Sequence, residues 1–114
     1  MLLTALIDRS PLIVAARTPV QEVRRALGAG HLHALVFDEE RLVGVVCPCD
    51  LRDSDPGEPV SAFMSAPPTT VGPDATVTRA LHLMKRDQIS FLPVISRGFL
   101  AGTVTRSALG GKPC

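Results

Sequence analysis

The sequence predicts an α+β fold made of two copies of one β-α-β-β-α unit, related by a pseudo-twofold axis and packed sheet to sheet. Three observations carry this. The 114 residues are 46% hydrophobic and 20% charged, a balance that suits a packed domain and not a disordered chain. A shift of 57 positions lays the halves on one another, with Ala5 on Ala62, Pro11 on Pro68, Val14 on Val71 and Val20 on Val77. Finally, a half of about 50 residues buries too little surface to be stable alone, so two copies need to share a core.

Each element follows from local chemistry. Leu12-Ile13-Val14-Ala15 and Thr69-Thr70-Val71 are short β-prone runs beside proline, read as brief strands or extended segments. Thr18 offers an N-cap, Pro19 a first helical residue and Gln21 a capping-box partner, while Val20, Val23 and Leu27 supply an apolar stripe. In the second half Thr76 caps a helix whose apolar positions are Val77, Ala80, Leu81 and Met84. Two strands follow each helix. Ala34–Phe37 and Leu42–Val46 flank the charged turn 38–41, and Phe91–Ile95 and Phe99–Val104 flank Ser96-Arg97-Gly98. One extra residue placed near Gly98 then sets Leu42 on Leu100, Gly44 on Gly102, Val46 on Val104 and Leu51 on Leu109. Pro93 has no N–H for a ladder and is expected at an edge or strand start. Short helices are expected to close the halves from about Pro48 and Arg106. The motifs are placed at 1–55 and 60–110, with 56–59 as linker in a run rich in turn formers (53–59), and 111–114 as a tail.

Composition removes several function classes. Twelve basic against eleven acidic residues leave a formal charge of +1, which provides no field for nucleic acid or an anionic membrane. No Trp or Tyr and only four Phe offer little for stacking single strands. The opening residues lack a basic lead and meet Asp8 early, unlike a signal peptide. No apolar run nears the roughly 20 residues of a membrane span, and three cysteines make no closed disulfide framework. A soluble, cytoplasmic protein is expected.

Met64-Ser65-Ala66-Pro67-Pro68-Thr69-Thr70-Val71-Gly72-Pro73-Asp74-Ala75-Thr76-Val77, then Ala80-Leu81-His82-Leu83-Met84, Leu92-Pro93-Val94 and Gly102-Thr103-Val104-Thr105-Arg106, resemble a cystathionine-β-synthase (CBS) domain. Thr18-Pro19-Val20 and Leu42-Val43-Gly44-Val45-Val46-Cys47-Pro48-Cys49-Asp50-Leu51 resemble a more diverged copy, so the chain is similar to a tandem CBS pair, or Bateman module. The resemblance implies a regulatory module, not an enzyme. It would bind an adenosine-containing nucleotide (AMP, ADP, ATP or S-adenosylmethionine) in clefts between the copies, need no cofactor, form a homodimeric disc and signal to an effector protein.

The family's ligand signature is Gly-apolar-apolar-Ser/Thr with an Asp three residues on. Hydroxyl and N–H groups at a helix start suit phosphate, and a carboxylate accepts ribose hydroxyls at about 1.5–3 kcal/mol per charged hydrogen bond. Here Gly44-Val45-Val46 meets Cys47 in place of the hydroxyl but retains Asp50, whereas Gly102-Thr103-Val104-Thr105 keeps the hydroxyl but has Ala108 in place of Asp. By the same resemblance Ile13, Val14, Thr70 and Val71 would meet adenine, with Leu35, Leu92 and Pro93 as walls and Thr105 and Arg106 on phosphate. Asp50 and Thr105 are equally ordinary helix-start residues needing no ligand. A structural dimerisation module with non-binding clefts, burying Leu83 and Phe63 in the disc, stands as the alternative. Cys47-Pro48-Cys49 with His31, His33 and Cys114 suggests a metal- or redox-sensing module, although C-x-C is not the usual zinc spacing. His82, Arg24-Arg25 and Lys85-Arg86 are read as surface groups on the helices.

Overall fold

The computed structural model describes residues 2–29 and 33–110. They form two compact units, one spanning Pro11–Pro68 and the other joining the first ten residues to the stretch from Thr69 onward. The units therefore do not coincide with the halves of the repeat, because each half lends its opening segment to the other half's unit.

In the Pro11–Pro68 unit, β1 (Leu12–Ala15), β2 (Ala34–Asp38) and β3 (Arg41–Val46) form one sheet in the order β1-β2-β3, the first pair parallel and the second antiparallel. Helix α1 (Val20–Gly28) presents Val20, Val23 and Leu27 to Ala34 and Val36 of β2 and Val46 of β3, with Leu51 and Val60 completing the core. Strand alternation sends Leu35 and Val45 to the opposite face, where both are buried. A 3₁₀ turn, Pro48–Leu51, stands where a closing helix was expected.

The start of α1 departs from the expectation of a Thr18 cap. Pro19 is the N-cap and no side chain caps it. The exposed helix-start donors are met by backbone instead, Val20 N–H by the Glu58 carbonyl at 2.8 Å and Gln21 N–H by that of Pro56 at 3.0 Å. The Thr18 carbonyl accepts from Val60 at 2.8 Å. Pro56 and Glu58, within the segment 56–59 read from sequence as linker, thus serve as the missing cap.

In the other unit, a 3₁₀ turn (Leu3–Leu6) precedes α2 (Val77–Asp87), β4 (Phe91–Ser96) and β5 (Phe99–Thr105), the two strands pairing antiparallel. Thr76 caps α2 as expected, its hydroxyl accepting from Arg79 N–H at 3.1 Å. Leu3, Val71, Ala80, Leu83, Met84, Leu92, Val94, Val104 and Leu109 form the core. Leu83 is already buried in this core, whereas Phe63 packs against the other core and stays partly exposed. The closing helix from Arg106 is one hydrogen-bonded turn, with Leu109 N–H reaching Thr105 O at 3.2 Å.

Strand register relocates the extra residue. Leu35 pairs with Val45 and Pro93 with Thr103. Both hairpins turn through two residues, Glu39-Glu40 and Arg97-Gly98. The strands therefore correspond at 58 positions, whereas Thr18 and Ala75 correspond at 57 through the bonds they accept from Val60 and Leu3. The insertion falls at the exit of α2, two residues longer than α1 and ending on left-handed Gln88, and not near Gly98. Leu35 corresponds to Pro93, and Ala34 to Leu92.

The borrowed segments make equivalent contacts in the two units. Asp8 exchanges both backbone bonds with Thr103, at 2.7 and 2.9 Å, and Ser65 does so with Val45, at 2.8 and 3.1 Å. The crossings pass over Gly102 and Gly44. A Cβ at Gly102 would strike the Asp8 carbonyl and lie 2.6 Å from Ile7 Cγ2, with φ at +149°; at Gly44 it would lie 2.8 Å from Met64 Cγ. Glycine at these two places lets the other half's backbone approach.

Candidate functional site

The first-half site residues lie in one unit. Ile13, Leu35 and Val45 occupy one register across β1, β2 and β3, on the face away from the core. Leu35 and Val45 are buried, but Ile13 is 51% exposed. Val14 and Val46 point the other way, Val46 into the core and Val14 packed against it. Beyond β3, Cys47 caps the 3₁₀ turn and Asp50 is its third residue. The Asp50 carboxylate accepts from Cys47 N–H at 2.8 Å, and the Cys47 sulfur faces Asp50 N–H, a reciprocal cap. Asp50 is half-buried. Gly44 lies under the Met64–Ser65 crossing.

The second-half residues lie in the other unit. Val71 makes a single parallel bridge to Val94, and Thr70 beside it is exposed. Leu92 packs into the core, while Pro93 and Thr103 face away from it, in the register of Leu35 and Val45. Thr103 is fully buried and its hydroxyl has no hydrogen-bond partner among the described residues. The Thr105 hydroxyl accepts from Ala108 N–H at 3.1 Å, the ordinary capping role. The Arg106 guanidinium donates to the Ile89 carbonyl at 2.6 Å and that of Met84 at 3.4 Å, at the C-terminal end of α2. Helix carbonyl ends attract cations. Both groups expected on phosphate thus have structural partners here.

Arg24, expected on a solvated face, is half-buried. Its Nη2 donates to the carbonyls of Leu51 and Ser54 and to Ser54 Oγ, the latter two at 2.9 and 3.0 Å, holding the chain just after Asp50. Its position four residues from Val20 and three from Leu27 marks the edge of the apolar stripe, a signal hidden by reading it with its neighbour Arg25. Arg24, Leu27, Gly28, Pro48, Leu51 and Arg52 line an open hollow of about 290 Å³. His82 is exposed, as expected. Asp87 is held near pKa about 2, below its usual 3.8, by hydrogen bonds from Arg86 and then Thr69, the latter at 2.6 Å. His31 and Cys114 lie outside the described residues, and His33 is half-buried. Among the described residues no three His, Cys, Asp or Glu side chains gather to hold a metal, and no helix is long and apolar enough to cross a membrane.

The CBS domain model matches residues 3–57 and again 60–109. The chain belongs to the CBS domain family. It is α+β, a tandem CBS pair. Among curated relatives it is 35% identical over 102 residues to inosine-5′-monophosphate dehydrogenase of Korarchaeum cryptofilum; the match covers 87% of this chain and 21% of that protein. The chain thus spans about a fifth of the length of the relatives it matches. A solved CBS domain pair in complex with 5′-methylthioadenosine and S-adenosyl-L-methionine superposes with TM-score 0.85 at 19% identity, over 96% of this chain and 93% of that one. The cytosolic domain of the Mg²⁺ channel MgtE in complex with ATP gives 0.76 at 28% identity, over 91% of this chain and 45% of that one.

Proposed function

We propose that this CBS pair is a regulatory, non-catalytic module that binds an adenosine-containing nucleotide or S-adenosylmethionine through its first half and passes the signal to a partner chain. The observation that carries the reading is the row Ile13–Leu35–Val45 ending beside the turn that presents Asp50. An exposed β-branched side chain on an otherwise buried apolar row suits the face of a base, and covering it removes apolar area from water. Asp50 spends one oxygen on Cys47 N–H, leaving the other for ribose hydroxyls. Relatives of the same fold bound to S-adenosyl-L-methionine and to ATP support the ligand class. Thr105 and Arg106, engaged in capping, favour a structural role for the second half.

A thermal-shift series with AMP, ATP and S-adenosylmethionine tests this. One of them at 100 times its Kd is expected to add about 2.7 kcal/mol, raising Tm by on the order of 10 °C. Asp50→Asn, which keeps an oxygen for the cap, should abolish the rise without lowering the unliganded Tm by more than a few degrees. A flat response to all three ligands leaves the structural dimerisation module as the better reading.

A further inference from the structure

We infer that Cys47 and Cys49 form a reversible intramolecular disulfide that reshapes the turn carrying Asp50. Both thiols sit on one 3₁₀ turn, Cys47 as its N-cap and Cys49 as its second residue, and Pro48 holds the backbone between them. Cys49 is exposed and open to an oxidant, whereas Cys47, the residue that follows β3, is buried.

The reaction balances with a peroxide as oxidant. The Cys49 thiolate attacks one peroxide oxygen, the O–O bond breaks, and a sulfenic acid and water result. The Cys47 thiolate then attacks the Cys49 sulfur, the S–O bond breaks, and a second water leaves as the S–S bond forms. The two thiols lose two hydrogens and the peroxide is reduced to two waters. A bridge across a single residue gains little from loop closure and sits far from relaxed disulfide geometry. A strained bridge of this kind has a high reduction potential and returns readily to thiols, the behaviour of a regulatory bond.

The structural consequence follows from the cap. The Cys47 sulfur faces the Asp50 N–H, while the Asp50 carboxylate holds the Cys47 N–H. To reach Cys49 the sulfur turns away from that N–H, and the reciprocal cap is lost. The link to ligand affinity rests on the proposed role of Asp50; the disulfide itself does not.

The test uses the whole chain carrying Cys114→Ser, treated with hydrogen peroxide and measured by intact mass and cysteine alkylation. The expected product is lighter by two hydrogens, resists alkylation at both cysteines, and recovers both on adding dithiothreitol. Cys49→Ser in the same background should retain an alkylatable or singly oxygenated Cys47 and show no such loss. Two thiols still open to alkylation, stable sulfinic acid without a bridge, or only intermolecular bridges would overturn the inference. Where the reduced protein shows an Asp50-dependent ligand shift, the oxidised protein should lose it. If the reduced protein shows none, the nucleotide reading fails while the mass result still decides the disulfide.

Discussion

The two sheets belong to two matches of one domain model and differ by a strand. In the Pro11–Pro68 unit, β1 pairs with β2 in parallel over four residues. In the other, the matching segment touches β4 only at Val71, whose N–H reaches Pro93 O at 3.2 Å and whose carbonyl accepts from Ile95 at 2.8 Å. One step upstream the ladder would need the N–H of residue 93, which points to the same side as its carbonyl. Leu35 has that donor and Pro93 does not. The missing donor removes the next ladder bond, and the faces away from the two cores differ as well, with Leu35 and Val45 paired in one unit and Pro93 and Thr103 in the other.

The largest expected effect lies at the backbone crossings. Gly102→Ala places a Cβ against the Asp8 carbonyl with a positive φ, and is expected to cost about 3 kcal/mol or more. Gly44→Ala meets mainly the flexible Met64 side chain and should cost roughly half as much. Equal losses in chemical denaturation would erase this difference between the crossings. Next comes Arg24→Ala, which strips the donor from Leu51 and Ser54 carbonyls; a loss of about 1.5–3 kcal/mol is expected in the same assay.

Exchanging residues across the repeat sharpens the contrast further. Thr103→Val installs the residue found at position 45 and removes a buried hydroxyl that has no partner among the described residues. It should stabilise by about 1 kcal/mol, and a loss of stability would mean the hydroxyl is bonded. Pro93→Leu restores the donor and should lengthen the parallel pairing upstream of Val71, read as slowed amide exchange at residue 93. The smallest effect concerns Asp87. Its pKa is lowered, so its contribution is present above about 3.8 and is lost as pH falls towards about 2. Thr69→Val should move the Asp87 titration upward when followed by NMR.

Much of this was legible in the sequence because repetition doubles every signal. The helices, both hairpins, the Thr76 cap and the CBS resemblance rest on apolar spacing and turn chemistry within short windows. What stayed hidden was non-local. The cap of α1 comes from residues 56–58, nearly forty positions away, so Thr18 looked needed when it was not. Matching residues by identity alone places the extra residue near Gly98, whereas the strand register puts it at the α2 exit, where Gln88, a non-glycine residue, takes the left-handed region. At the candidate site, Val45 and Asp50 stand in the signature, while Ile13 and Leu35 come from the resemblance and their shared register from the strand pairing. The Thr105 cap was one of the two readings the sequence offered, but the engagement of Arg106 was not visible, since its carbonyl partners carry no side-chain signal.

Amide chemical-shift mapping during titration with whichever adenosine compound raises Tm addresses the difference between the halves at residue level. The account predicts that Ile13, Leu35 and Asp50 shift and saturate together while Thr70, Thr105 and Arg106 hold still. Saturable shifts confined to the latter three, with Asp50 unmoved, would contradict it.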